Sequence, residues 1–199
     1  MFSDVGMPRI AVLSVIALVA CFTATWAIAA VLDGGWVFGV NMISDLGVST
    51  SFAHYVFGWG AILTGIFAAL AGFAMSAMRE GAVGKAPFLL LVFAGVMLML
   101  VGIFNEHTAP HLPSAVALFV AVWISMIILA ARDLLGGERL FGCLNAAFAV
   151  LNLILFVLTP LPLFEALGVI IFMLWTLMLS YAILKGTDGY GEAQVTEDL

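Results

Sequence analysis

Three histidines, His54, His107 and His111, and four acids, Asp33, Asp45, Glu106 and Glu165, fall in or beside the segments that separate apolar runs of this chain, and no Lys or Arg accompanies them. Imidazoles titrate near neutral pH and ligate metals, and carboxylates left without cations attract them. Three chemistries fit. In the first, two or three of His54, His107, His111, Asp45 and Glu106 hold Zn²⁺ with one position open to water, giving a hydrolase at the lipid headgroup level with Asp45 or Glu106 as base. In the second, His54 and His111 ligate a haem b from two helices. In the third, the group binds and releases protons or a cationic headgroup, as in a carrier or a lipid-binding protein. The plainest alternative is that the histidines cap helix ends or hydrogen-bond to loop backbone.

Spacing narrows these readings. His107 and His111 share a face only on a continuous helix, and Pro110 pushes Ala109 away from helical geometry. Asp45 lies in Asn41-Met42-Ile43-Ser44-Asp45-Leu46-Gly47, where polar and apolar residues interleave. With Trp36, Phe38, Val40 and Ile43 in the same long loop, the segment is expected to fold back onto the protein, carrying Asn41 and Ser44 as further ligand contacts. Asn145, Asn152 and Thr159 recur at seven-residue steps, so one helix face is polar. They read as interhelical hydrogen-bond glue. The sharper possibility is a polar track toward the histidine cluster, with Asn152 and Thr159 meeting a ligand.

The elements that must position these groups follow from composition. Of 199 residues, 65% are hydrophobic and 9% charged, and the mean hydropathy is +1.24. That is too little polar surface for a water-soluble globule. At about 20 apolar residues per crossing, roughly six helices exhaust the chain. The runs are Ile10 to Leu32, Ser51 to Ala77, Ala86 to Phe104, Pro113 to Ala131, Leu140 to Thr159 and Phe164 to Leu184. They are apolar all round, which excludes barrel strands. The first, at about 23 residues, is too long for a secretory signal peptide. The expected fold is therefore all-α: one six-helix transmembrane domain over residues 1–185, followed by a flexible tail over 186–199.

Arg9, Arg79, Lys85, Arg132, Arg139 and Lys185 all fall at one end of such a bundle. The positive-inside rule places that end and both termini in the cytoplasm of a multi-pass cell-membrane protein. Counting from the cations at about 1.5 Å per residue puts His54, Glu106 and His111 at the outer interface. The same counting sets Cys21 about 18 Å and Cys143 about 6 Å from the cation end, too far apart for a disulfide. No Lys within a span is available for a retinal Schiff base, and neither a phosphate loop nor a nucleophile elbow is present. Membrane lipids are the expected partners, with no nucleic acid.

Asn41-x-x-Ser44-Asp45-Leu46-Gly47, together with Gly102-Ile103-Phe104-Asn105-Glu106 and His111-x-x-Ser114-Ala115-x-x-x-Leu118-Phe119, resembles a prokaryotic multispanning family, domain of unknown function 998, distantly akin to DRAM- and Frag-type proteins. The resemblance implies an integral membrane protein with both motifs on one face, a link to lipid handling, and Asn41, Ser44, Asp45, Glu106 and His111 as the family's polar positions. It implies no particular reaction. The chain departs from the pattern at His107 and in the prolines flanking His111. The leading expectation is a site at the outer interface, with Asp45 and Glu106 as acid–base groups and His54, His107 and His111 as ligands, that binds a metal ion or a lipid headgroup. Zn²⁺ and haem b are the candidate cofactors. A proton- or cation-coupled carrier and a structural membrane partner are the alternatives.

Overall fold

In the computed structural model, which describes residues 6–186, the chain forms six α-helices: α1 (Gly6–Asp33), α2 (Ala53–Ala77), α3 (Gly81–Ile103), α4 (His111–Gly136), α5 (Arg139–Leu158) and α6 (Leu161–Lys185). No strand forms among the described residues. All six helices are long and apolar enough to cross a membrane, and the protein is a multi-pass membrane protein. Each contains its expected run to within a residue or two. Several begin earlier, because intrahelical hydrogen bonds propagate through polar turns that a hydropathy count leaves out. At α4, Pro110 precedes the helix and Pro113 sits in its first turn, where a missing N–H breaks no intrahelical bond. Gly137 ends α4 in the left-handed region at φ 91°, and its N–H returns to the carbonyls of Asp133 and Leu134. The tail expected over 186–199 lies beyond Gly186, outside the described residues.

Helices consecutive in the chain pack against one another, and α1 also meets α6, which closes the bundle. The tightest seam joins α2 to α3. A Cβ on Gly95 would lie 2.6 Å from the Gly65 carbonyl oxygen and 2.6 Å from the Ala69 nitrogen, and one on Gly102 would lie 2.5 Å from the Gly58 oxygen. Small residues let backbones approach this closely, so dispersion and not polar contact holds the pair. Trp175, Phe88, Met75, Met126 and Leu129 fill the bundle core.

Toward the cation-bearing end the core is polar. Arg132 donates from Nε and Nη2 to Asp133 Oδ1 at 2.9 and 2.6 Å, and Asn145 Nδ2 donates to Asp133 Oδ2 at 3.0 Å. Asn145 Oδ1 in turn accepts from Trp175 Nε1 at 2.7 Å. This chain ties α4, α5 and α6 together, which is the interhelical role expected of Asn145.

The other end is closed by the α1–α2 segment, which folds back as its apolar residues demand. Ile43 and Leu46 are buried beside Phe22, Ala29, Ala53, Phe57, Val101 and Ala166. Trp26, Trp36 and Phe38 pack ring on ring, with centroids 5.7 to 6.4 Å apart. Trp36 Nε1 donates to the Met42 carbonyl at 2.8 Å, and Asn41 Oδ1 accepts the Val37 N–H at 3.0 Å. These contacts deliver a short 3-10 helix, Ser44–Val48, into the mouth of the bundle.

Candidate functional site

Ser44 opens that 3-10 helix and is 5% exposed. Its hydroxyl donates to Oε1 of Glu106, in the α3–α4 connection. Asp45, next in sequence, accepts the Met42 N–H at 2.8 Å and stands beside the Glu106 carboxylate. From α4, His111 reaches the same point, its Nε2 4.0 Å from Glu106 Oε1. From α6, Glu165 Oε2 accepts the Ile43 N–H at 2.7 Å, and its field reaches Glu106. Three carboxylates, one imidazole and one hydroxyl thus meet where four segments converge.

The local chemistry of each group is fixed by its partners. His111 is 6% exposed, and its Nδ1 lies 2.7 Å from the Phe104 carbonyl oxygen, which can only accept. Nδ1 therefore carries the hydrogen, and Nε2 faces the carboxylates. Burial, followed by the neighbouring Asp45 carboxylate, pushes Glu106 above the usual carboxylate range, against the opposing influence of the Ser44 hydroxyl and the His111 imidazole.

Of the residues expected at the site, the structure brings together Ser44, Asp45, Glu106 and His111. Asn41 shapes the loop beneath them. His54 shares their level but faces its own turn, with Nδ1 2.6 Å from the Ser51 carbonyl and its ring 3.9 Å from that of Tyr55. His107 is exposed in a turn held by Asn105. Thr159 donates to the Leu155 carbonyl at 2.7 Å and closes its own helix end. No three His, Cys, Asp or Glu side chains gather as a metal-holding group among the described residues.

Glu165 is the member that sequence reasoning left out of the site. Its signal was present: an acid within an apolar helix, one turn past Pro160-Leu161-Pro162, with no cation near it.

Below this polar head runs a groove of about 380 Å³ between α4, α5 and α6. Ser44, His111 and Glu165 line its top, Trp123 lies toward its foot, and Phe119, Phe156 and Phe164 form walls. Its rim is open sideways through the exposed Leu112, Val116 and Leu153. Asn152 also lines it. That side chain is 5% exposed and its Nδ2 donates to the Phe148 carbonyl, but Oδ1 has no partner.

Both motifs of the polar head fall within residues 15–182, which match the family described as Protein of unknown function (DUF998). The chain belongs to this family. No curated protein and no solved structure matches it. Membership in the DUF998 family brings no reaction, and the membrane-spanning character rests on the six apolar helices themselves.

Proposed function

We propose that this protein binds a membrane lipid, with the headgroup at Ser44, Asp45, Glu106, His111 and Glu165 and a hydrocarbon chain in the α4–α5–α6 groove. One observation carries the reading: a polar head and an apolar groove are continuous, sharing Ser44, His111 and Glu165 as lining. From His111 to Trp123 the groove follows α4 for about 18 Å, while half of a bilayer core of about 30 Å is about 15 Å. A chain from one leaflet fits that length, and the open rim lets it enter sideways.

Binding is favoured over hydrolysis by the backbone around Ser44. The Ile43 N–H is taken by Glu165, the Asp45 N–H by the Met42 carbonyl and the Leu46 N–H by the Ile43 carbonyl, so this turn lacks the pair of donors that would stabilise an oxyanion. The carrier alternative needs a polar route onward. Beneath the head, the central cavity is walled by apolar side chains such as Leu18, Leu91 and Leu98, with Thr64 and Thr176 as exceptions.

The test is photolabelling in phosphatidylcholine nanodiscs with a lipid carrying a diazirine at mid-chain. Labelled peptides should map to the groove faces around Val116, Leu153 and Phe156, and Val116→Trp should reduce the yield several-fold. Labelling spread evenly over the lipid-facing surfaces of all six helices, unchanged by Val116→Trp, would overturn the reading.

A further inference from the structure

We infer that the groove selects an uncharged lipid with a hydroxyl at its head, a long-chain alcohol or an acylglycerol, and that this hydroxyl donates to Nε2 of His111. The inference rests on the groove reading above and names the ligand class for it.

Side-chain donors along the groove are already committed. Ser44, His111, Trp123 and Asn152 line it and carry O–H or N–H groups. Ser44 donates to Glu106, His111 Nδ1 to the Phe104 carbonyl, Trp123 Nε1 to the Ala149 carbonyl at 2.9 Å, and Asn152 Nδ2 to the Phe148 carbonyl. No Lys or Arg supplements them, because all six lie toward the opposite end of the helices. A phosphate or carboxylate head would therefore lose its water without gaining a side-chain donor or a countercharge.

What the protein offers is an acceptor. His111 is 6% exposed and lines both the groove and the central cavity beneath the head. The Phe104 carbonyl keeps the ring hydrogen on Nδ1, so Nε2 of the neutral ring presents a lone pair. This nitrogen is fixed by its own backbone partner and does not depend on the carboxylates. It stands 4.0 Å from Glu106 Oε1, beyond the reach of a hydrogen bond. A buried acceptor left in that state costs stability, and a donor placed there recovers it.

The size of the gap selects the donor. One oxygen at about 2.8 Å from each atom bridges it. A hydroxyl serves both sides, giving its hydrogen to Nε2 and a lone pair to Glu106, whose carboxyl burial holds toward the neutral form. An ether has no hydrogen for Nε2, and an ammonium has no lone pair for Glu106. An ammonium must also shed far more tightly held water than a hydroxyl does on entering an apolar groove. His111 stands at the groove's top, so a chain attached to the hydroxyl carbon continues down between the phenylalanine walls.

The experiment is competition against groove photolabelling by octadecanol carrying a mid-chain diazirine, using the full-length protein in phosphatidylcholine nanodiscs. The unlabelled competitors are octadecanol, 1-monostearoylglycerol, octadecyl methyl ether, octadecylamine and stearate. The two hydroxyl lipids should halve labelling at mole fractions at least fivefold below the other three. The stronger of the two assigns the source, alcohol or acylglycerol. His111→Asn keeps an amide N–H near the place of Nδ1 and withdraws Nε2, so the ratio between octadecanol and its methyl ether should fall to about one. His111→Gln, whose amide reaches the place of Nε2, should restore part of that ratio. If neither variant gives a monodisperse sample, the comparison of alcohol with ether on the parent protein decides alone. Equal competition by all five compounds, with labelling still confined to the groove and reduced in Val116→Trp, is the result of a gap filled by water only. It overturns the hydroxyl class and leaves lipid binding standing. A preference for the amine or for stearate does the same, and labelling outside the groove removes both.

Discussion

Glu106 is the residue on which the mouth turns, since it takes the Ser44 hydroxyl, adjoins Asp45 and faces His111. Its raised pKa has a definite sign in stability. Between the ordinary value of 4.5 and the raised one, folded Glu106 keeps a proton that the unfolded chain has lost, so its contribution falls as pH rises through that interval and is level above it. Melting in detergent should therefore drop less with rising pH in Glu106→Gln than in the parent, the curves differing by roughly a few °C above the interval. Equal pH slopes would remove the carboxyl from this role. Ser44 and Asp45 were legible because polar residues interleave with apolar ones in a loop that had to fold back, and Glu106 and His111 because depth is legible, a fixed rise per residue setting height along a helix. Azimuth is not, and for that reason His54 stands at the right height and points elsewhere. Glu165 was missed for the converse reason, since only the closure of α6 on its neighbours aims it at the mouth.

At the scale of elements, two seams hold the bundle together, by different means. The α2–α3 seam depends on the absence of side chains at Gly65 and Gly95, whose backbones occupy the space a Cβ would need. Gly95→Ala should cost about 1–3 kcal/mol by overpacking, read as a fall in melting temperature of several °C, whereas Ala at the open Gly136 should change little. A melting temperature unchanged or raised in Gly95→Ala, as the better helix propensity of Ala alone would give, would mean that close packing does not hold the seam. The α4–α5–α6 seam depends on Asp133, Asn145 and Trp175. A double-mutant cycle of Asp133→Ala and Asn145→Ala should give coupling of about 0.6–1.7 kcal/mol, the range for polar pairs between membrane helices. Zero coupling would reduce the network to proximity. The seven-residue recurrence in α5 revealed which face was polar but not that its members diverge. Asn145 turns to the ion pair, Asn152 to the groove and Thr159 to its own backbone, because each meets a different neighbour at its own height.

Taken as a whole, the molecule is polarised along its long axis. Every Lys and Arg lies toward one end, whereas Asp33, Asp45, Glu106, Glu165 and all three histidines lie toward the other. Helix number and alternation were readable from sequence because a bilayer admits few ways to satisfy an apolar backbone, and the cation pattern stays one-sided only for six crossings. The lateral groove was not readable, since it arises where α6 packs loosely enough against α4 and α5 to leave a gap. The polarity also predicts which leaflet supplies the ligand. The positive-inside rule predicts that the cation end faces the cytoplasm and that the mouth opens on the outer leaflet. With Cys21 and Cys143 replaced by Ser, a single cysteine at the exposed Thr108 should react with a membrane-impermeant maleimide in intact spheroplasts, and one at the exposed Gly136 only after lysis. The reverse pattern would put the mouth on the inner leaflet, and the groove would then draw its hydrocarbon chain from the cytoplasmic side.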